Sequence, residues 1–160
     1  MNVFLSYAVG SWDAPIAARL RAVAAAYDIS ILLPARTHPN GLTADTFTKI
    51  KQSDAVIALV TNSAPVDLVN TVNLEWQAAA QASKPIIALI EQGVTFQSAP
   101  PGNVVYFDRL NPTAHESSLL SALQQIRSQQ QSKKDFTALG WIAGIALGLV
   151  ALSEILNNEK

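Results

Sequence analysis

Glu75 is the residue whose type and spacing best suit chemistry in this chain of 160 residues. It lies in the segment VDLVNTVNLEWQAAA, whose apolar side chains gather on one helical face around Val72. At 100° per residue, Glu75 falls about 60° from the centre of that face. A carboxylate at an apolar margin is partly desolvated, a common setting for a functional acid. An ordinary boundary glutamate that reaches out to solvent has the same spacing and is the more frequent case.

The composition excludes several other classes of site. The chain contains no cysteine, so disulfide scaffolds and thiolate chemistry are excluded, and its two histidines, His38 and His115, cannot build a zinc site by themselves. No acidic metal-binding loop occurs, so we expect no metal. The formal net charge is −1 and no basic stripe occurs, which argues against a nucleic-acid partner.

The elements that must position Glu75 alternate along the chain. Apolar runs predict strands, and helical spacing with capping residues such as Asp13 and Thr43 predicts the helices between them. The predicted strands are 3–7, 29–33, 55–60, 86–90 and 104–107, and the predicted helices follow Asp13 and cover 43–52, 66–83 and about 116–130.

Strands without polar alternation are covered on both faces, which indicates a parallel sheet. We therefore predict an α/β, flavodoxin-like five-stranded parallel sheet in the order 2-1-3-4-5. Ligands of such sheets bind beyond the carboxyl ends of the strands, beside strand 1, so the loops after strands 1, 2 and 3 are where chemistry is expected.

The segment 136–152 (FTALGWIAGIALGLVAL) carries no charge. Extended to residue 156, a helix here is about 31 Å long, enough for a hydrocarbon core of roughly 30 Å. Lys133 and Lys134 precede it and Lys160 follows it, so the positive-inside rule places the N-terminal domain in the cytoplasm. We predict a domain at 1–132, then a basic linker, a single transmembrane helix (about 136–156) and a short tail at 133–160. A buried helix of a soluble protein is the alternative, but it would be amphipathic.

Gly140, Gly144 and Gly148 lie four residues apart on one stripe of that helix. Two overlapping GxxxG patterns let helix backbones approach closely in lipid, which predicts self-association.

Five blocks in order resemble the Toll/interleukin-1 receptor (TIR) domains of bacteria. They cover about residues 1–110, and the C-terminal helix lies outside them. The blocks are VFLSYA, ARTHPNGLT in the position of the family's BB loop, IKQSDAVIALVTNSA, NLEWQAA and KPIIALIE.

The resemblance implies an activity, because enzymatic members of the family cleave the nicotinamide–ribose bond of NAD with a glutamate on the helix after strand 3. Glu75 matches that position. NAD would be the substrate, and no cofactor is implied. Many active members carry an aromatic residue four positions before the glutamate, where this chain has Thr71.

Four further residues acquire roles from the resemblance. Tyr7 would stack on a base, and Ser6 would bond to a ribose or phosphate, unless this strand end only packs on its neighbours. Arg36 would meet the pyrophosphate or remain a solvated loop charge. Trp12 would cap the pocket or staple the following helix.

The expected function is that of a membrane-anchored TIR enzyme that cleaves or cyclises NAD in bacterial antiviral defence and is activated by self-association. A non-catalytic TIR adaptor that recruits partners through the loop 35–43 is one alternative. A relative of nucleoside 2-deoxyribosyltransferases, with Glu75 as a covalent nucleophile, is another.

Overall fold

The computed structural model describes residues 1–7, 13–26, 28–35, 41–96, 103–108 and 144. Within these ranges, five strands alternate with three helices. The elements are β1 (Asn2–Tyr7), α1 (Asp13–Ala25), β2 (Ser30–Leu32), α2 (Ala44–Gln52), β3 (Ala55–Val60), α3 (Val66–Gln81), β4 (Ile86–Glu91) and β5 (Asn103–Phe107).

The strands form one sheet in the order β2-β1-β3-β4-β5, and every neighbouring pair is parallel. The predicted α/β fold and strand order are therefore confirmed. In the register of the sheet, Ser6 of β1 lies beside Ala58 of β3, which lies beside Ala88 of β4. β3 and β4 are buried along their whole length, as expected for strands covered on both faces.

Successive strand residues point to opposite faces of the sheet, which divides the core in two. On one face, Leu5 shares a buried cluster with Ile16 and Leu20 of α1. On the other face, Phe4 shares a cluster with Ile50 of α2 and with residues of α3. The two layers of helices thus exclude water from both sides of the apolar sheet, the main source of stability for such a fold.

The helix ends show how local sequence sets the element boundaries. Thr43 is confirmed as the N-cap of α2, where its side chain accepts a hydrogen bond of 3.1 Å from the Thr46 N–H. The helix predicted over 66–83 ends instead at Gln81, because Ser83 adopts a left-handed backbone with φ of 54°. Its N–H bonds to the Ala80 carbonyl at 2.9 Å and the Lys84 N–H bonds to the Ala79 carbonyl at 3.0 Å, which is a Schellman motif.

The predicted helix 116–130 and most of the predicted transmembrane segment 136–156, including Gly140 and Gly148, lie outside the described residues. Gly144 is helical and exposed. No helix in the described ranges has the length and apolar character needed to cross a membrane.

The left-handed conformation of Ser83 gives a prediction about stability. This conformation costs an L-residue about 1–2 kcal/mol and does not cost glycine. Part of that difference is offset because glycine gives the unfolded chain more conformational entropy. We expect Ser83→Gly to raise the free energy of unfolding by about 0.5–1 kcal/mol, measured by thermal or urea denaturation.

Gln77→Gly is the control, since Gln77 is exposed on the same helix with ordinary helical geometry. It should lower the free energy of unfolding by about 0.5–1 kcal/mol. A Ser83→Gly variant that loses stability as the control does would contradict the role assigned to this cap.

Candidate functional site

The position of Glu75 follows from how α3 runs across the sheet. α3 is antiparallel to β1, and Ala79 of the helix shares a buried cluster with Phe4 of the strand. Glu75 lies four residues before Ala79, a distance of about 6 Å along the helix axis. Ser6 lies two residues after Phe4, a distance of about 6.6 Å along the strand. The two steps arrive at Glu75 and Ser6, which therefore lie at the same height on the same face.

The Ser6 hydroxyl donates a hydrogen bond to Glu75 Oε2. Ser6 is 0% exposed and Glu75 is 1% exposed, so the bond lies inside the protein. Glu75 is accordingly not a boundary glutamate that reaches out to solvent, which was the more frequent case for its spacing. A buried carboxylate costs free energy unless it has hydrogen-bond donors, and the Ser6 hydroxyl is one of them.

The residues beside Glu75 on α3 differ in character. Thr71 lies one turn earlier, is buried, and donates its hydroxyl proton to the Asp67 carbonyl at 3.1 Å. Trp76 turns toward the sheet, where its ring lies 5.6 Å from that of Phe96. The aromatic ring next in sequence to Glu75 is thus part of the core, and a small threonine occupies the preceding turn.

The other predicted site residues are distributed differently. Tyr7 follows Ser6 in β1, so its side chain belongs to the opposite face, in the cluster that α1 covers. The structure brings Ser6 to Glu75 and does not bring Tyr7 to that face. Trp12 and Arg36 lie outside the described residues.

A second buried glutamate, which is not among the site residues predicted from the sequence, lies at the end of β4. Glu91 is 8% exposed, and its Oε2 accepts a hydrogen bond of 2.7 Å from the Asn62 N–H. The side-chain amide of Asn62 donates a second hydrogen bond, of 2.5 Å, to the Gln92 carbonyl. Gly93 adopts φ of +93° beside that amide. These bonds fasten the loop between β3 and α3, four residues before the helix begins, to the end of β4.

The sequence carries a signal for this cluster. Glu91 is the one charged residue in the strand IIALIE, and the polar triplet TNS follows β3 directly. Both lie at the carboxyl edge of the sheet, where parallel strands end together.

The two glutamates do not form a pair of catalytic acids. Glu91 follows the alternation of Ile87 and Leu89, so it belongs to the face of the sheet covered by α1. Glu75 is a residue of α3, which covers the opposite face. A glycosidase with two carboxylates needs both around one bond. The described residues also hold no group of three or more acidic or histidine side chains arranged for a metal ion. Among the residues that the structure describes on the face covered by α3, Glu75 is the one buried carboxylate.

No protein-family model matches the chain, and neither a curated protein nor a solved structure matches it.

The Glu91–Asn62 contact gives a prediction about the integrity of the site. A hydrogen bond to a charged acceptor contributes about 1.5–3 kcal/mol, so Glu91→Ala should lower the free energy of unfolding by about that amount. Glu91→Gln keeps an oxygen that can accept from the Asn62 N–H, so its free energy of unfolding should fall by less. Denaturant unfolding measures both. Equal losses for the two variants would show that the acceptor is not what holds the loop.

Proposed function

We propose that this chain is a membrane-anchored enzyme of the TIR type that cleaves the nicotinamide–ribose bond of NAD, with Glu75 as the catalytic residue. The observation that carries the proposal is the buried carboxylate of Glu75, which lies on the helix after β3 and accepts a hydrogen bond from the Ser6 hydroxyl. A non-catalytic adaptor has no need of a buried, hydrogen-bonded carboxylate at this position. The proposed setting is bacterial antiviral defence.

One carboxylate is sufficient for this reaction. The C1′–N bond breaks with its electron pair passing to the nicotinamide nitrogen, which neutralises the cationic pyridinium. The leaving group therefore needs no proton and no general acid. The ribose that remains carries positive charge at C1′ and its ring oxygen, and the Glu75 carboxylate stabilises that charge electrostatically. Water then attacks C1′ and releases a proton to give ADP-ribose, or the adenine of the same molecule attacks to give a cyclic product.

The burial of Glu75 bears on how the enzyme is switched on. A carboxylate that is 1% exposed meets a substrate only after the side chains that cover it have moved. Contacts between copies of the chain are a source of free energy for such a movement. The GxxxG stripe at Gly140, Gly144 and Gly148 would supply copies at high effective concentration in a membrane. We accordingly propose activation by self-association.

The central prediction concerns Glu75→Gln. Gln keeps the shape of the side chain and an oxygen that can accept from Ser6, but it removes the negative charge. We expect nicotinamide release from NAD to fall by about 100- to 1,000-fold in the purified full-length protein, clustered on vesicles and assayed by chromatography.

Asp67→Asn is the matched control, because it removes an exposed carboxylate from the same helix and should leave the rate nearly unchanged. No release by the clustered wild-type protein would favour the adaptor. Turnover of deoxynucleosides without NAD cleavage, with a trappable ester on Glu75, would favour the 2-deoxyribosyltransferase alternative.

The proposed anchor has its own test. Deleting residues 135–160 should move the protein from the membrane fraction to the soluble fraction of lysed cells, because it removes the whole apolar segment. A second deletion that removes only the tail, 157–160, should leave the protein in the membrane fraction. A full-length chain as soluble as the 135–160 deletion would refute the anchor.

A further inference from the structure

We propose that Ser6 is a positioning residue, which orients the Glu75 carboxylate and does not bind the substrate. This inference rests on the proposed function, and it differs from the role that the TIR resemblance gives to Ser6. The evidence is the contact itself: the Ser6 hydroxyl donates to Glu75 Oε2 across 69 residues of sequence, inside the protein.

A serine hydroxyl has one proton to donate. In Ser6 that proton is directed at the carboxylate, so it is not available to a ribose or phosphate oxygen of a substrate. Ser6 is also 0% exposed and is the residue before the last of β1. The hydroxyl therefore faces Glu75 from beneath, on the side of the sheet.

Ser6 is well suited to holding a carboxylate still. Its backbone is fixed in an inner strand, in register with Ala58 of β3, and its side chain has a single heavy-atom torsion. Glu75 has three such torsions and would otherwise occupy several rotamers. Electrostatic stabilisation of a transition state requires groups that are oriented before the reaction begins. The rigid strand thus supplies the orientation that the long side chain lacks.

The test separates positioning from substrate binding by steady-state kinetics of the full-length protein with NAD. Ser6→Ala should lower kcat by about 10- to 100-fold and leave KM within about twofold, because only the orientation of the carboxylate is lost. Ser6→Thr, which keeps the hydroxyl, should recover most of kcat. Ser53→Ala is the matched control, since Ser53 is equally buried and donates to the Ile50 carbonyl at 2.7 Å, in the turn that follows α2.

A rise in KM at constant kcat for Ser6→Ala would assign Ser6 to the substrate and overturn the proposal, as would unchanged kinetics. A kcat that Ser6→Thr fails to recover in a folded protein, by circular dichroism, would also count against it.

A second measurement does not depend on activity. The chain has five glutamates, so the side-chain carboxyl carbon of Glu75 can be identified by ¹³C NMR as the signal lost in Glu75→Gln. Ser6→Ala should move that signal at constant pH, and Ser53→Ala should not. A wild-type protein that cleaves no NAD while its Glu75 signal responds to Ser6→Ala would refute the proposed function and keep the contact. A signal that does not respond would overturn the positioning role whatever the activity.

Discussion

The burial of both faces of a largely apolar parallel sheet is the constraint on which the rest of this structure depends. Each face needs its own layer of helices, and α3 is the helix that covers β3 and β4 on one of them. To do so it must run antiparallel to the strands, with Val72 and Trp76 directed at the sheet. The same rotation that buries these side chains turns Glu75 toward β1. The packing of α3 on the sheet therefore also determines where the Glu75 carboxylate lies.

The carboxylate is tolerated in this position because a polar partner meets it there. Ser6 interrupts the apolar face of β1 at the height where Glu75 arrives. An apolar residue at this point would remove a donor from a buried ionisable group, at a cost in folding free energy. Polar residues that compromise a core in this way are expected at functional sites. This is the physical basis of the catalytic role that we propose for Glu75 and of the positioning role that we propose for Ser6.

At the carboxyl edge of the sheet, the strand ends are joined by contacts that do not involve Ser6 or Glu75. Glu91 and the Asn62 side chain join the loop after β3 to the end of β4, and the N–H of Gln92 bonds to the Phe107 carbonyl of β5 at 2.8 Å. Three strand ends are thereby connected through short polar links. Since α3 starts from this loop, the links also set where the helix begins, and so how far along the sheet Glu75 lies.

The sequence by itself predicted the class of fold, because apolar runs and helical periodicity are local signals, and the strand order 2-1-3-4-5 is a common one for strands and helices that alternate in this way. The sequence also placed Glu75 at the margin of an apolar helical face, and the resemblance to TIR domains, rather than the spacing, singled this residue out. The pleat also separates Ser6 from Tyr7, a consequence of period 2 that becomes clear once the sheet is built. Only the tertiary structure decided that Glu75 is fully buried, that Ser6 is its partner and that Glu91 holds Asn62. These depend on the height at which α3 crosses β1 and on contacts between residues far apart in sequence. Neither is encoded in the spacing of any single segment.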